Sequence, residues 1–283
     1  MPDARVAVIG GSGLYELDGF QVRDRKRVTT PFGDPSDDIV VGDYGGTAVS
    51  FLPRHGVGHR IPPGGINFRA NVWALKSLGV EQVVSVSAVG SLKLEIEPRT
   101  FVIPDQFYDN TRHRVSTFFD RGPVVHIALA DPYCPALAAR LAEACAARGV
   151  AVRAGGTYMC MEGPQFSTRG ESRAYRQLGF DVIGMTSATE AKLAREAEMC
   201  YATVALVTDY DVWHEADVTI ETVLATMAAN VANVKAVLQE ALPRVATDDC
   251  PCRHALAGAI VTDLKYVPAE VKERLRPILR RYL

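Results

Sequence analysis

The chain has 283 residues, enough for one large α/β domain or two small ones with a substantial core. Hydrophobic residues make up 48% and charged residues 23%, the ordinary balance of a soluble globular chain. A net charge of −2 excludes a long-range field that would draw nucleic acid or an anionic membrane, so any phosphate site must be local.

The first strand reads Arg5-Val6-Ala7-Val8-Ile9 and runs into Gly10-Gly11-Ser12-Gly13, a turn with permissive backbone. Apolar runs at 39–41 and 48–52 read as further strands, with Gly45-Gly46 turning between them. Residues 67–78 have helical spacing, and 82–86 is a mostly apolar strand leading into the small-residue loop Ser87-Ala88-Val89-Gly90-Ser91. A helix is expected over 135–148, with Pro135 in its first turn and Gly149 after its end. Strand 150–158, helix 171–178, strand 182–183, helix 190–199 and strand 201–207 follow. Residues 219–242 form a long amphipathic helix with Ile220, Val223, Leu224, Met227, Val231, Val234 and Leu238 in the three-four rhythm. Short helical stretches are expected at 256–264 and 269–281.

Strands alternating with helices, several of the strands apolar throughout, indicate a single α/β domain with a mixed, largely parallel central sheet flanked by helices. Residues 1–245 form the main body and 246–283 a helical tail of the same domain. No stretch approaches the roughly 20 apolar residues of a membrane span. The run at 6–9 is too short, and too soon followed by glycines, to be a signal peptide. A cytoplasmic protein is expected.

Five polar or small-residue segments sit where α/β proteins bind ligands. Gly10-Gly11-Ser12-Gly13 is no dinucleotide fingerprint, since Glu16 stands where a third glycine belongs, and no P-loop. It suits one free phosphate, bound by backbone N–H groups and the Ser12 hydroxyl; a plain turn explains it equally well. Arg54-His55-Gly56-Val57-Gly58-His59 has histidines four apart but no glutamate and no helix, so a metal motif does not fit. Arg54 and His55 suit a dianion, the Arg through its donor fork; a solvated basic loop is the plainer alternative. Ser87 and Ala88 can complete the cradle or simply pack tightly. In the segment from Glu162 to Thr168, Phe166 can stack on a base, and Glu162 with Met185 can hold a sugar; a core position also accounts for a Phe or a Met. Thr208-Asp209-Tyr210-Asp211 ends a buried strand. Its carboxylates project the same way if the chain stays extended, and can read a nucleobase. The alternative is an Asx-turn. Six cysteines, at 134, 145, 160, 200, 250 and 252, lack paired C-x-x-C spacing and read as buried reduced thiols, with Cys250-Pro251-Cys252 the one candidate for a strained redox pair. No metal site is expected.

In their order along the chain, Val8-Ile9-Gly10-Gly11-Ser12-Gly13-Leu14, Pro53-Arg54-His55-Gly56, Asn71-Val72-Trp73-Ala74-Leu75-Lys76, Glu162-Gly163-Pro164-Gln165-Phe166-Ser167 and Thr208-Asp209-Tyr210-Asp211-Val212-Trp213 resemble the 5′-methylthioadenosine phosphorylases, within the trimeric purine nucleoside phosphorylase superfamily. The resemblance implies a phosphate site from Ser12, Arg54, His55, Ser87, Ala88 and Thr186. It implies a ribose contact from Met185 and Phe166, and a purine contact from Asp209 and Asp211 with Ser167 nearby. It further implies that His126 reaches a neighbouring subunit's 5′ end, and that Ile220 and Val223 line the 5′-alkylthio group. Orthophosphate is then a co-substrate and no cofactor is needed; the assembly is a homotrimer or a dimer of trimers. Thr189 stands where relatives often carry proline. The activity implied is reversible phosphorolysis to adenine and 5-methylthioribose 1-phosphate, with Asp209 the acid for N7, in purine and methionine salvage. Its rivals are a phosphorylase for adenosine, inosine, methylthioinosine or a 5′-halogenated adenosine, a hydrolytic nucleosidase, and a dinucleotide-binding oxidoreductase.

Overall fold

The computed structural model describes residues 4–11, 14, 19–214, 220–245 and 250–283. Strand β1 (Val6–Gly10) is followed by β2 (Gln21–Lys26), β3 (Ile39–Tyr44), β4 (Thr47–Pro53), helix α1 (Phe68–Ser77) and the long β5 (Gln82–Ser91). Short strands β6 (Phe101–Ile103) and β7 (Gln106–Asn110) precede α2 (Pro135–Ala147), β8 (Val152–Ala154), β9 (Thr157–Met161) and α3 (Arg169–Gln177). Then come β10 (Val182–Gly184), α4 (Ser187–Glu196), β11 (Cys200–Asp209), α5 (Ile220–Ala241), and the tail helices α6 (Ala269–Arg274) and α7 (Arg276–Leu279).

The strands form one mixed sheet. β1 is buried at every residue and feeds two cores by strict alternation. Val6 and Val8 join Leu137 and Leu141 of α2 with Val234 and Leu238 of α5 on one face. Ala7 and Ile9 join Val72 and Leu75 of α1, Leu193 of α4, and Leu256, Leu275 and Ile278 of the tail on the other.

Helix ends follow local chemistry. The Asn67 side chain accepts from the Ala70 N–H to cap α1, and Thr168 with Glu171 forms a reciprocal capping box on α3. α4 begins three residues before its charged face does, because Ser187, Ala188 and Thr189 are themselves buried.

Three expectations need correction. The strand expected over 150–158 is two strands, because Gly155 and Gly156 break it at φ 85° and 117°. β8 joins β6, while β9 joins β7 and β10. Residues 256–264 are turns and a single bridge from Ile260 to Val125, with Gly258 at φ 76° where a helix would need a negative value. The last helix divides into α6 and α7 at Leu275.

What positions the cleft is a fork at β5. On one edge β5 pairs with β11 along its length; on the other it pairs with β1 as far as Ser85, then with β10 from Gly90. Between those two neighbours the sheet parts, and residues 87–90 of β5 line the cleft that opens there.

Candidate active site

A cleft of about 470 Å³ opens at this fork. It is walled by Gly11 after β1, the loop after β4, residues 87–90 of β5, the β10–α4 junction and the end of β11. Close packing beneath it explains one of its small residues: a side chain at Gly184 would put Cβ 1.9 Å from Tyr158 Oη.

At one end the cleft is lined by Arg54, His55, Ser87, Ala88 and Thr186. Arg54 is 1% exposed. Its expected free donor fork is already engaged: Nε and Nη2 grip the Glu190 carboxylate at 2.5 and 3.2 Å, Nη2 also reaches Ser85 Oγ at 2.6 Å, and Nη1 donates to Val86 O at 2.8 Å. Four of five guanidinium N–H groups are therefore committed to the protein. Nη1 lies against Gly11, where an added Cβ would come within 2.9 Å of it. Burial opposes the Arg54 charge, but Glu190 outweighs it and holds the guanidinium above its ordinary value.

The Glu190 carboxylate also accepts from Ser85 Oγ at 2.8 Å and Tyr201 Oη at 2.7 Å. A hydroxyl chain continues through Thr203 and Ser187 to Tyr133. Burial pushes both phenols, Tyr201 and Tyr133, well above their ordinary values, so they remain neutral donors. The result is a fixed, satisfied ion pair under the cleft floor. Glu190 is the functional residue that sequence reasoning missed; in sequence it sits on a helix whose other charges suggest a solvated face.

His55 Nδ1 is 2.8 Å from Ile61 O, so Nδ1 carries the proton and donates. Burial, then the Arg54 charge, pushes its pKa down to about 4. The imidazole is neutral at pH 7, with Nε2 an acceptor. Thr186 precedes α4, and its hydroxyl makes no cap to that helix; it lies 3.5 Å from Ser87 Oγ. The N-terminus of α4 thus adds its N–H groups and dipole to this end.

At the other end stand Asp209 and Asp211. The chain does not stay extended between them. β11 bulges after Val207, Asp211 turns to φ 54°, and its N–H donates to Asp209 Oδ1 at 2.9 Å. That is an Asx-turn, yet both carboxyls still line the cleft. Thr208 Oγ1 donates to Asp209 Oδ2 at 2.6 Å, and Ser172 Oγ from α3 donates to Asp211 Oδ2 at 2.5 Å. Burial outweighs these bonds and holds both carboxyls above the ordinary value.

Between the ends, Met185, Phe166 and Val223 line the cleft. Arg114 sets this wall: it donates to Met185 O, to Glu162 O at 2.6 Å and to Glu162 Oε1 at 2.9 Å. Glu162 is not available to a sugar, because Arg114 and the N–H groups of Arg112 and His113 occupy its carboxylate. Ser167 is buried beside the cleft, its hydroxyl directed at Met161 Sδ at 3.7 Å. Ile220 is 69% exposed and His126 is also on the surface, its N–H bonded to Ala259 O; neither lines the cleft of this chain. Ser12 lies outside the described residues.

Residues 5–243 match the family described as the phosphorylase superfamily. The chain belongs to that family. It is 54% identical to an S-methyl-5′-thioadenosine phosphorylase of Koribacter versatilis, over 99% of this chain and 97% of that one. Among solved structures, a methylthioadenosine phosphorylase sourced from an Antarctic soil metagenomic library superposes with TM-score 0.93 at 46% identity, covering 98% and 99% of the two chains. A methylthioadenosine phosphorylase from Schistosoma mansoni in complex with adenine gives TM-score 0.87 at 35% identity, over 91% of this chain and 99% of that one. Among the described residues, no helix is long and apolar enough to cross a membrane.

Proposed function

We propose that the protein is a 5′-methylthioadenosine phosphorylase, moving the ribosyl C1′ from adenine to orthophosphate. The observation that carries this is the pairing of two unlike ends in one cleft. A neutral imidazole, two hydroxyls, a buried guanidinium and a helix N-terminus meet at one end; the half-buried Asp209 and buried Asp211 carboxyls, both with raised pKa, stand at the other. The relatives' names support the same substrate.

Orthophosphate, the co-substrate, is held by Ser87, Ala88, Thr186 and the α4 N-terminus, with Ser12 joining from the first loop. Arg54 contributes its remaining Nη1 donor and a fixed positive charge rather than a fork. His55 Nε2 accepts a proton shared with a phosphate oxygen. So oriented, phosphate attacks C1′ on the face away from the base. Adenine leaves poorly as an anion, so Asp209, whose carboxyl burial holds above its ordinary value, donates to N7 as positive charge develops on the sugar. Asp211, oriented by Ser172, accepts from the exocyclic amine. Met185 and Phe166 cover the ribose, with Ser167 behind them. No metal or organic cofactor takes part.

The 5′-alkylthio group meets Val223 and Ile220. In a homotrimer or a dimer of trimers, His126 of the partner subunit closes that end, and the exposed position of His126 suits such a role. The setting is purine and methionine salvage in the cytoplasm. Initial rates with methylthioadenosine, adenosine and inosine test the substrate assignment. Methylthioadenosine is expected to have the highest kcat/KM and inosine the lowest; a preference for inosine contradicts the role given to Asp211.

A further inference from the structure

Four of the six cysteines meet away from the cleft. Cys200 opens β11, Cys134 stands immediately before α2, and Cys250 and Cys252 come from the tail. Their four Sγ atoms all lie within 4.8 Å of one another, and Cys134 Sγ is 3.7 Å from Cys250 Sγ. All are free thiols, Cys250 half-buried and the other three buried. Tetrahedral zinc with Zn–S bonds of about 2.3 Å requires sulfur–sulfur edges of about 3.8 Å. One edge already has that length, and the longest needs to close by at most about 1 Å.

We infer that Cys134, Cys200, Cys250 and Cys252 form a structural zinc site that clamps the C-terminal tail to the sheet. The surroundings suit four thiolates around one ion. Cys134 is the N-cap residue of α2, so the positive end of that helix's dipole lies beside its thiol. Arg195 Nη1 lies 3.8 Å from Cys252 Sγ. These groups offset the excess negative charge of a four-thiolate centre and orient its ligands. Binding exchanges the ion's water for sulfur and releases the thiol protons to solvent; nothing is oxidised or reduced. Cys200 and Asp209 are the two ends of β11, roughly 30 Å apart at the rise of an extended strand, so the ion takes no part in the cleft's chemistry. A C-x-C pair with two remote partners has no C-x-x-C signature, which is why spacing along the sequence does not announce it.

The test uses the full chain without a metal-binding tag, isolated in reducing buffer. Elemental analysis is expected to find one zinc per chain. Replacement by Co²⁺ is expected to give thiolate-to-metal charge-transfer absorption. The double variant Cys250→Ser/Cys252→Ser is expected to lose the zinc while keeping phosphate-dependent turnover. Cys145→Ser, outside the cluster, keeps the zinc. If the double variant does not fold, Co²⁺ titration of the wild-type protein still decides. Reduced wild-type protein that is zinc-free and gives no Co²⁺ absorption overturns the proposal. So does mass analysis of the freshly isolated protein that finds the four sulfurs joined as disulfides.

Discussion

The Asp211 backbone N–H donates to Asp209 Oδ1 over 2.9 Å, tying the two cleft carboxyls into one tight turn at the end of β11. The turn and the site are the same object. The bond holds Oδ1 as an acceptor, so a proton on this carboxyl sits on Oδ2, the oxygen that also accepts from Thr208 Oγ1. Asp209→Asn keeps the turn's acceptor and loses the acid. It is expected to lower kcat by about 10²- to 10⁴-fold while phosphate binding changes little. Because the folded pKa of Asp209 is raised, the wild-type kcat falls as pH rises through that value, and the variant lacks this limb. Steady-state kinetics across pH check both points; an unchanged kcat removes Asp209 from the mechanism.

Glu190 is expected to matter as much as any residue that touches substrate. It is 1% exposed and takes four hydrogen bonds, two of them from Arg54. Glu190→Gln leaves Arg54 charged and buried without its counter-ion. The expected cost is about 3–5 kcal/mol in denaturant unfolding, with a raised KM for phosphate in whatever protein folds. A loss under about 1 kcal/mol, that of a surface pair, contradicts the network described.

His55 gives stability a defined pH dependence. Its folded pKa is depressed to about 4 from an ordinary 6.5, so its contribution is fully present above 6.5. As pH falls from 6.5 toward 4 the unfolded chain takes up a proton that the folded chain refuses, and stability falls. His55→Gln, which can still donate to Ile61 O, is expected to flatten the curve in that window. Urea unfolding of both proteins between pH 7 and 4 checks this; parallel curves contradict it.

The α/β architecture and most of the cleft were legible because strand-end loops of small and polar residues are local features. Residues 208–211 fall where β11 ends, while 87–91, expected as a loop, continue β5, and the structure brings both to one fork. What the sequence hides is pairing over distance. Arg54 looks like an open phosphate fork until Glu190, 136 residues later, occupies it. Glu162 looks available until Arg114 and the N–H groups of 112–113 claim it. The extended geometry assumed for Asp209 and Asp211 failed because a bulge and a positive φ intervene, yet both carboxyls reached the cleft. The strand over 150–158 failed at two glycines whose φ values only the fold reveals.

The proposed phosphorolysis places phosphate and purine in one cleft. Its most direct test is adenine release from methylthioadenosine with and without orthophosphate, using protein freed of bound phosphate. The expected result is strict dependence on phosphate, saturating with its concentration, with one pentose 1-phosphate formed per adenine. Adenine release at an equal rate without phosphate, with free methylthioribose as the product, contradicts the account and makes water the nucleophile.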